Sequence, residues 1–373
     1  MNDLSMEQYL HQIVSSWRQE GVPSNNEYMI DIENKLQMFE PILMTNPQRF
    51  VLFPICHQEI WQMYKKHQST FWVAEEIDLS KDLDHWWHRM TANERHFIGH
   101  VLAFFASFDG IVNENLTSRF ICEIQVPEAR AFYGFQIMIE NIHSEVYSLL
   151  IDTYISDPEE KHKFFHAIDN FPSVKKMADW ALKWTSSNVP FNQRILAYAC
   201  IEGIMFSGPF CAIYWLKKRE LMPGLTYSNE LIARDEGLHA DFGVLINSCL
   251  KYPASNATTK EIVQEAVLLC REFICESLPC ALIGMNSDEM SQYIEYVADR
   301  LLTKLIGEKM FNAKNPFVGW MELISIPAKT NFFERKVAEY VKSGTNYDII
   351  NGKSNNVNAG EGMNNNASLL DDF

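Results

Sequence analysis

Two Glu-x-x-His spacings stand out among the residues able to hold a metal: Glu140-Asn141-Ile142-His143 and Glu236-Gly237-Leu238-His239. On a helix, positions i and i+3 share a face, so each segment presents a carboxylate and an imidazole side by side. That pair, supplied twice on inward faces, is the half-site pattern of di-iron bundles, which take one further carboxylate from each of two other helices. Asp109 follows the apolar run Val101–Phe108, and Glu202 stands inside the run Ile195–Phe206. An acid in such a setting is costly unless it is paired or bound to metal. Four carboxylates and a bridging oxide balance the charge of two ferric ions, and a low-dielectric interior favours that neutrality. Oxygen and imidazole donors suit iron or manganese, and the absence of thiolate argues against an iron–sulfur cluster.

The spacing alone is weak. Glu159-Glu160-Lys161-His162 also matches it, but follows a turn among charges and reads as solvated. His96 and His100, at i and i+4, could pair on a metal. They lie ~14–20 Å from Asp109 along a helix, so they read as surface or hydrogen-bonded core histidines. Tyr147 lies on the Glu140/His143 face, one turn beyond the histidine and ~6 Å along the axis. A tyrosine at that spacing is ordinarily plain core. Three apolar neighbours change the weighting: Phe206 and Phe210, one and two turns after Glu202, and Ile232, one turn before Glu236. Together they form a dry wall beside an oxidising metal, the setting a long-lived phenoxyl radical needs.

The elements that must position these groups are long helices. Thr91-Ala92-Asn93-Glu94 is a capping box opening a helix to about Ser118. A second starts near Pro127, a favoured first-turn residue, and runs through Ile155. A third runs from Phe191 to about Arg219, with a kink expected at Pro209. A fourth runs from Ser228 to about Leu250, and Thr258-Thr259-Lys260-Glu261 caps a fifth. Apolar residues cover more than one face of these helices, the mark of burial inside a large bundle. The fold class is all-α: a ferritin-like helical bundle with additional helices. Residues 1–50 read as a partly ordered extension, 51–342 as the helical domain and 343–373 as a flexible tail. Eight asparagines and four glycines in that tail leave too little apolar surface to order it.

A formal net charge of −16 across 373 residues argues against a nucleic-acid partner and against a polybasic membrane patch. The start, MNDLSMEQYL, has no signal pattern. The run Val101–Phe108 is far short of the ~20 residues that span a bilayer. Eight cysteines, none in a Cys-x-x-Cys pair, read as buried reduced thiols of a cytoplasmic protein; a disulfide frame or a zinc site is disfavoured.

Longer blocks carry a resemblance: FWVAEEIDLSKD (71–82), HVLAFFASFDGIVNENL (100–116), EARAFYGFQIMIENIHSEVYSLLIDTYI (128–155), WLKKRELMPGL (215–225) and SNELIARDEGLHADF (228–242). Over roughly residues 50 to 342 and the last seven, the chain resembles the class I ribonucleotide reductase small subunit of the eukaryotic type. The resemblance implies that Asp109, Glu140, His143, Glu202, Glu236 and His239 ligate two iron ions, oxo-bridged, and that Tyr147 bears the radical. It implies a relay from His143 through Asp235 and Trp72 toward the surface. A ligand histidine normally gives its second nitrogen to a carboxylate, which agrees. Tyr340 resembles the mobile tyrosine that continues the relay. The ending Leu369-Leu370-Asp371-Asp372-Phe373, with its Leu-x-Asp-x-Phe pattern at Leu369, Asp371 and Phe373, resembles the motif that docks on the large subunit. Homodimerisation and deoxyribonucleotide synthesis are implied likewise.

Four positions depart from the family pattern: Phe108 where a small residue is usual, Met205 where phenylalanine is, Pro209, and one extra residue around Trp86-Trp87. No ligand is lost. Manganese in place of part of the iron stays open on donor chemistry alone. Two other readings fit the metal half-sites: an oxygenase or desaturase on the same scaffold, and an iron-storage subunit. The first needs a substrate cavity at the metals, and the second has no use for Tyr147 in an apolar wall.

Overall fold

The computed structural model describes residues 5–186, 188–277 and 285–318. The helices of ten residues or more are α1 (Met6–Gln19), α2 (Glu27–Gln37), α3 (Gln58–Gln68), α4 (Ala92–Asn115), α5 (Pro127–Tyr154), α6 (Pro172–Thr185), α7 (Phe191–Cys200), α8 (Ser207–Lys218), α9 (Pro223–Ser248), α10 (Asn256–Ser277) and α11 (Ser287–Ile306). No β-strand occurs among the described residues. The all-α bundle expected from the helix pattern is what forms. Tyr340 and the tail from 343 onward lie outside the described residues.

Helix α4 opens where its capping box predicts. Thr91 Oγ1 accepts from Glu94 N at 3.3 Å and Glu94 Oε2 accepts from Thr91 N at 2.7 Å, an arrangement worth ~1 kcal/mol. Its buried face carries Phe97, Val101, Phe104, Phe105 and Phe108, with Asp109 one turn beyond Phe105. That face packs on α5, while α7 packs on α9 and α3 on both α5 and α9. Helices α1 and α2 add a satellite cluster of Leu10, Val14, Met29 and Leu36 around Tyr252.

The chain differs from its sequence pattern at several joints. Helix α9 starts at Pro223, five residues before the expected Ser228. Asp82, remote in sequence, caps it: its carboxylate accepts from Gly224 N at 2.9 Å, from Leu225 N at 2.8 Å and from the Tyr154 hydroxyl at 2.6 Å. Gly224 is required there, because a Cβ would sit 2.5 Å from the Asp78 carbonyl oxygen. Helix α10 likewise begins before Thr258. The Ser255 hydroxyl accepts from Thr258 N at 3.1 Å, and Glu261 bonds the Ser24 hydroxyl at 3.1 Å instead of closing a box.

Between α7 and α8 the break falls at a π turn, Ile201–Met205, and not at Pro209. Pro209 enters in the first turn of α8, where a missing N–H is tolerated. The freed carbonyls do not go bare: Cys270 Sγ lies 3.6 Å from Met205 O and 3.7 Å from Ile204 O. A second π turn, His85–Arg89, spans Trp86-Trp87. Bonding i to i+5 takes up one residue more than an α turn.

Among the described residues one stretch, Phe191–Lys218, is long and apolar enough to cross a membrane, longer than the run Val101–Phe108. Its most apolar window is 94% buried inside the bundle, as a core helix would be. Cys200, Cys211 and Cys270 are buried as expected, whereas Cys56, Cys122 and Cys275 are exposed.

Candidate metal centre

Four segments converge at the middle of the bundle. Helix α4 brings Asp109; α5 brings Glu140 and His143; the π turn brings Glu202; α9 brings Glu236 and His239. All six are buried, none more than 3% exposed. Single ligand atoms from Glu140, Glu202, Glu236 and His239 lie within 4.8 Å of one another. His143 Nδ1 joins them at 3.0 Å from Glu236 Oε1 and 3.3 Å from Glu140 Oε2. His239 Nδ1 lies 2.9 Å from Glu236 Oε2 and 3.0 Å from Glu140 Oε1.

These atoms crowd together without satisfying one another. Both Asp109 oxygens, Glu140 Oε2, Glu202 Oε2, Glu236 Oε1 and His143 Nδ1 have no hydrogen-bond partner. Buried acids left this way are among the costliest groups in a protein. Asp109 shows the strain: burial, then the charges of Glu140 and Glu236, push its carboxyl well above the usual range. Burial and the charge of Glu236 do the same to Glu202. A cation among these oxygens would relieve both. Four carboxylates and two imidazoles, with no thiolate, fit iron or manganese.

The outer face of each histidine is held differently. His143 Nε2 lies 3.4 Å from Asp235 Oδ2, the oxygen that also accepts from Trp72 Nε1 at 2.7 Å. The Trp72 ring stacks over His143, centroids 5.9 Å apart. Asp235 is further held by Arg234, which reaches Oδ1 at 3.0 Å and the Thr70 carbonyl at 2.7 Å. Burial opposes charge on Asp235, yet Arg234 and the His143 bond bring its carboxyl down to about 2. His239 Nε2 instead faces His67 Nε2 at 3.2 Å. Burial, reinforced by neighbouring His239, lowers His67 to about 3 and so keeps it neutral.

Tyr147 is buried and its hydroxyl has no partner. Burial, then the charge of Asp109, pushes its phenol well above the ordinary value. The ring in face contact with it is Phe105, with centroids 4.5 Å apart and planes 5° apart. Phe206 and Phe210 pack on Phe105 at 5.6 and 4.9 Å, and Ile232 is buried on α9. The ring against Tyr147 is therefore Phe105, which the sequence reading missed, and Phe206 and Phe210 stand behind it. Phe105 is one turn before Asp109, a signal the helix period offered.

Such a centre, with a shielded tyrosine beside it, invites comparison with known di-metal proteins. A family profile described as "Ribonucleotide reductase, small chain" matches residues 49–316. The chain belongs to the ribonucleotide reductase small-chain family. It is 60% identical over 304 residues to the ribonucleoside-diphosphate reductase small chain of Nicotiana tabacum, covering 82% of this chain and 92% of that one. To the small subunit of Dictyostelium discoideum it is 57% identical over 328 residues, 88% of this chain and 97% of that one. Among solved structures it resembles the Rnr4 homodimer of ribonucleotide reductase from Saccharomyces cerevisiae. That match has TM-score 0.72 and 35% identity, and covers 89% of this chain and 99% of that chain. The fold is thus that of a ribonucleotide reductase small chain.

Within this small chain the decoys fall outside the centre. His162 is exposed on a short helix. His96 is exposed, and its carbonyl lies 2.8 Å from His100 Nδ1. Phe108 is buried against Phe104, centroids 4.4 Å apart, and Met205 is buried in the π turn. Two more polar groups at the centre escaped the sequence reading. Gln136 Nε2 donates to Glu140 Oε1 at 3.2 Å, Glu202 Oε1 at 3.3 Å and the Tyr198 oxygen at 2.5 Å. Each lies four residues before a ligand candidate, Gln136 before Glu140 and Tyr198 before Glu202. Tyr340, Leu369, Leu370, Asp371 and Phe373 lie outside the described residues.

Proposed function

We propose that this small chain of ribonucleoside-diphosphate reductase holds two iron ions on Asp109, Glu140, His143, Glu202, Glu236 and His239, stores a radical on Tyr147 and passes it to the large subunit. The observation that carries the reading is the set of unsatisfied carboxylate oxygens beside an unpartnered, fully shielded phenol. Ferrous ions held there would supply electrons for the reduction of oxygen, and with it an oxidant able to take an electron and a proton from Tyr147. The chain supplies the rest. Its carboxylates and imidazoles fix the ions, and Asp109 is the carboxylate whose charge bears most on the Tyr147 hydroxyl. Phe105 and the rings behind it exclude water, so the phenoxyl has no nearby donor.

The hydrogen bonds His143–Asp235–Trp72 form a continuous path from the centre outward. We assign the relay to them, with Tyr340 as its next station and residues 367–373 as the docking segment on the large subunit. Homodimerisation is assigned by likeness to the Saccharomyces cerevisiae homodimer that the chain resembles, and cytoplasmic residence is part of the same proposal, in keeping with cysteines outside any Cys-x-x-Cys pair. Manganese in one position remains compatible with the donor set.

The test is direct. Anaerobic protein is loaded with ferrous iron, exposed to oxygen and examined by low-temperature EPR. A sharp tyrosyl signal is the expected result. Metal absorption with no radical selects an oxygenase, and uptake of many ions per chain selects storage.

A further inference from the structure

The two ligand histidines have the same orientation and different backing. Each turns Nδ1 toward the carboxylates and Nε2 outward. Behind His143 stands the carboxylate of Asp235. Behind His239 stands another histidine, His67, from the last turn of α3, with its Nε2 3.2 Å away. The two rings cross at 68° with centroids 4.8 Å apart, and both are fully buried.

Two ring nitrogens at that distance are compatible only if one carries the proton and the other does not, since two N–H groups or two lone pairs repel. The site decides which. His239 Nδ1 faces Glu236 and Glu140 and must be bare to bind a cation. The proton of a neutral His239 therefore resides on Nε2, and His67 Nε2 accepts it. The proton of His67 is then on Nδ1, where the structure offers no partner. Phe132 and Phe135 pack against that ring, at 5.0 and 4.8 Å between centroids. A buried imidazole that leaves one nitrogen unsatisfied while the other meets a ligand histidine is placed for that ligand.

We infer that His67 is a positioning residue for the metal centre: it accepts the Nε2–H of His239 and thereby fixes the tautomer and ring angle that turn Nδ1 to the metal. The inference rests on the di-metal reading above. It also makes the two metal positions unequal from outside. A carboxylate backing draws the N–H proton and makes the imidazole a stronger donor. A neutral imidazole does so less, and it adds no further negative charge to a dry, already acidic core.

The test compares the full-length wild type with His67→Leu, which fills the space without an acceptor, and His67→Gln, whose carbonyl oxygen can accept. Far-UV circular dichroism and size-exclusion chromatography establish that each variant is folded. Anaerobic ferrous titration and Mössbauer spectra of 57Fe-loaded protein are the readouts. In His67→Leu, one of the two ions should bind about 10–100-fold more weakly, the usual loss when a ligand's outer partner is removed. One of two quadrupole doublets should shift while the other stays. His67→Gln should restore most of both. The inference is overturned if His67→Leu binds both ions with wild-type affinity and unchanged doublets. It is equally overturned if the glutamine variant is as impaired as the leucine one, which would make His67 a packing residue. Wild-type protein that takes up no iron removes the centre itself, an outcome distinct from either.

Discussion

Phe105 lies flat on Tyr147, 5° from parallel and 4.5 Å away, and no hydrogen-bond donor or acceptor meets the tyrosine hydroxyl. The phenol is thus held by packing alone. Changing Tyr147 to Phe keeps that packing and removes only the oxidisable group. Full iron loading, no tyrosyl EPR signal and no nucleotide reduction are expected; wild-type activity in this variant would sink the assignment. Changing Phe105 to Ala opens the wall at a cost of about 3–5 kcal/mol, and the radical should decay faster in an EPR time course.

The ligand assignment separates real from decoy motifs. Replacing Glu236 or His239 with Ala should drop iron well below two ions per chain, measured by metal analysis after gel filtration. His162→Ala, on an exposed residue of the same spacing, should leave iron content unchanged. Equal losses at His162 and His239 would mean that the wrong helices were chosen.

The proposed relay would depend on one oxygen, Asp235 Oδ2, shared by Trp72 and His143. Trp72→Phe and Asp235→Asn should each lower nucleotide reduction severely in assays with the large subunit. Both residues adjoin the centre, so cofactor assembly should suffer as well. Tyr340→Phe should lose reduction yet keep a normal Tyr147 radical; loss of the radical there would place Tyr340 in the core and out of the relay.

Deleting residues 367–373 should leave iron content and the Tyr147 signal intact while abolishing large-subunit binding. On the proposed docking role, Leu369, Leu370 and Phe373 would be the apolar anchor, and its covalent linkage to the chain would raise its local concentration at the partner. A peptide of those seven residues should compete in a binding assay. Normal turnover by the truncated chain at low concentration would transfer the interface to the folded bundle.

Asp82 joins three segments through Gly224 N, Leu225 N and the Tyr154 hydroxyl. Asp82→Ala leaves those donors buried and unpaired, a loss on the order of 3 kcal/mol. A lower Tm of the metal-free protein by calorimetry is expected, and an unchanged Tm would show that water replaces the carboxylate.

By itself the sequence determined the long helices that carry the ligand candidates, and the candidates themselves, though not every boundary. Periodicity on apolar runs, the Thr91/Glu94 box and Pro127 are local signals, and a Glu-x-x-His pair is fixed by helix geometry within a single turn. Even Phe105, Gln136 and Tyr198, all overlooked, were there to be found one turn from a ligand candidate. Tertiary structure alone decided the partners that arrive from distant segments. Nothing local ties Asp82 to Gly224, and that contact moved the start of α9 by five residues. Nothing local ties His67 to His239 either, 172 positions apart. The same holds for Pro209: its ring forbids an ordinary helical bond, but only the packing of Cys270 against the freed carbonyls and the π turn at Ile201–Met205 decided where the helix yields. Hydrogen-bonding capacity is written in each residue, whereas its satisfaction depends on which helices the core brings together.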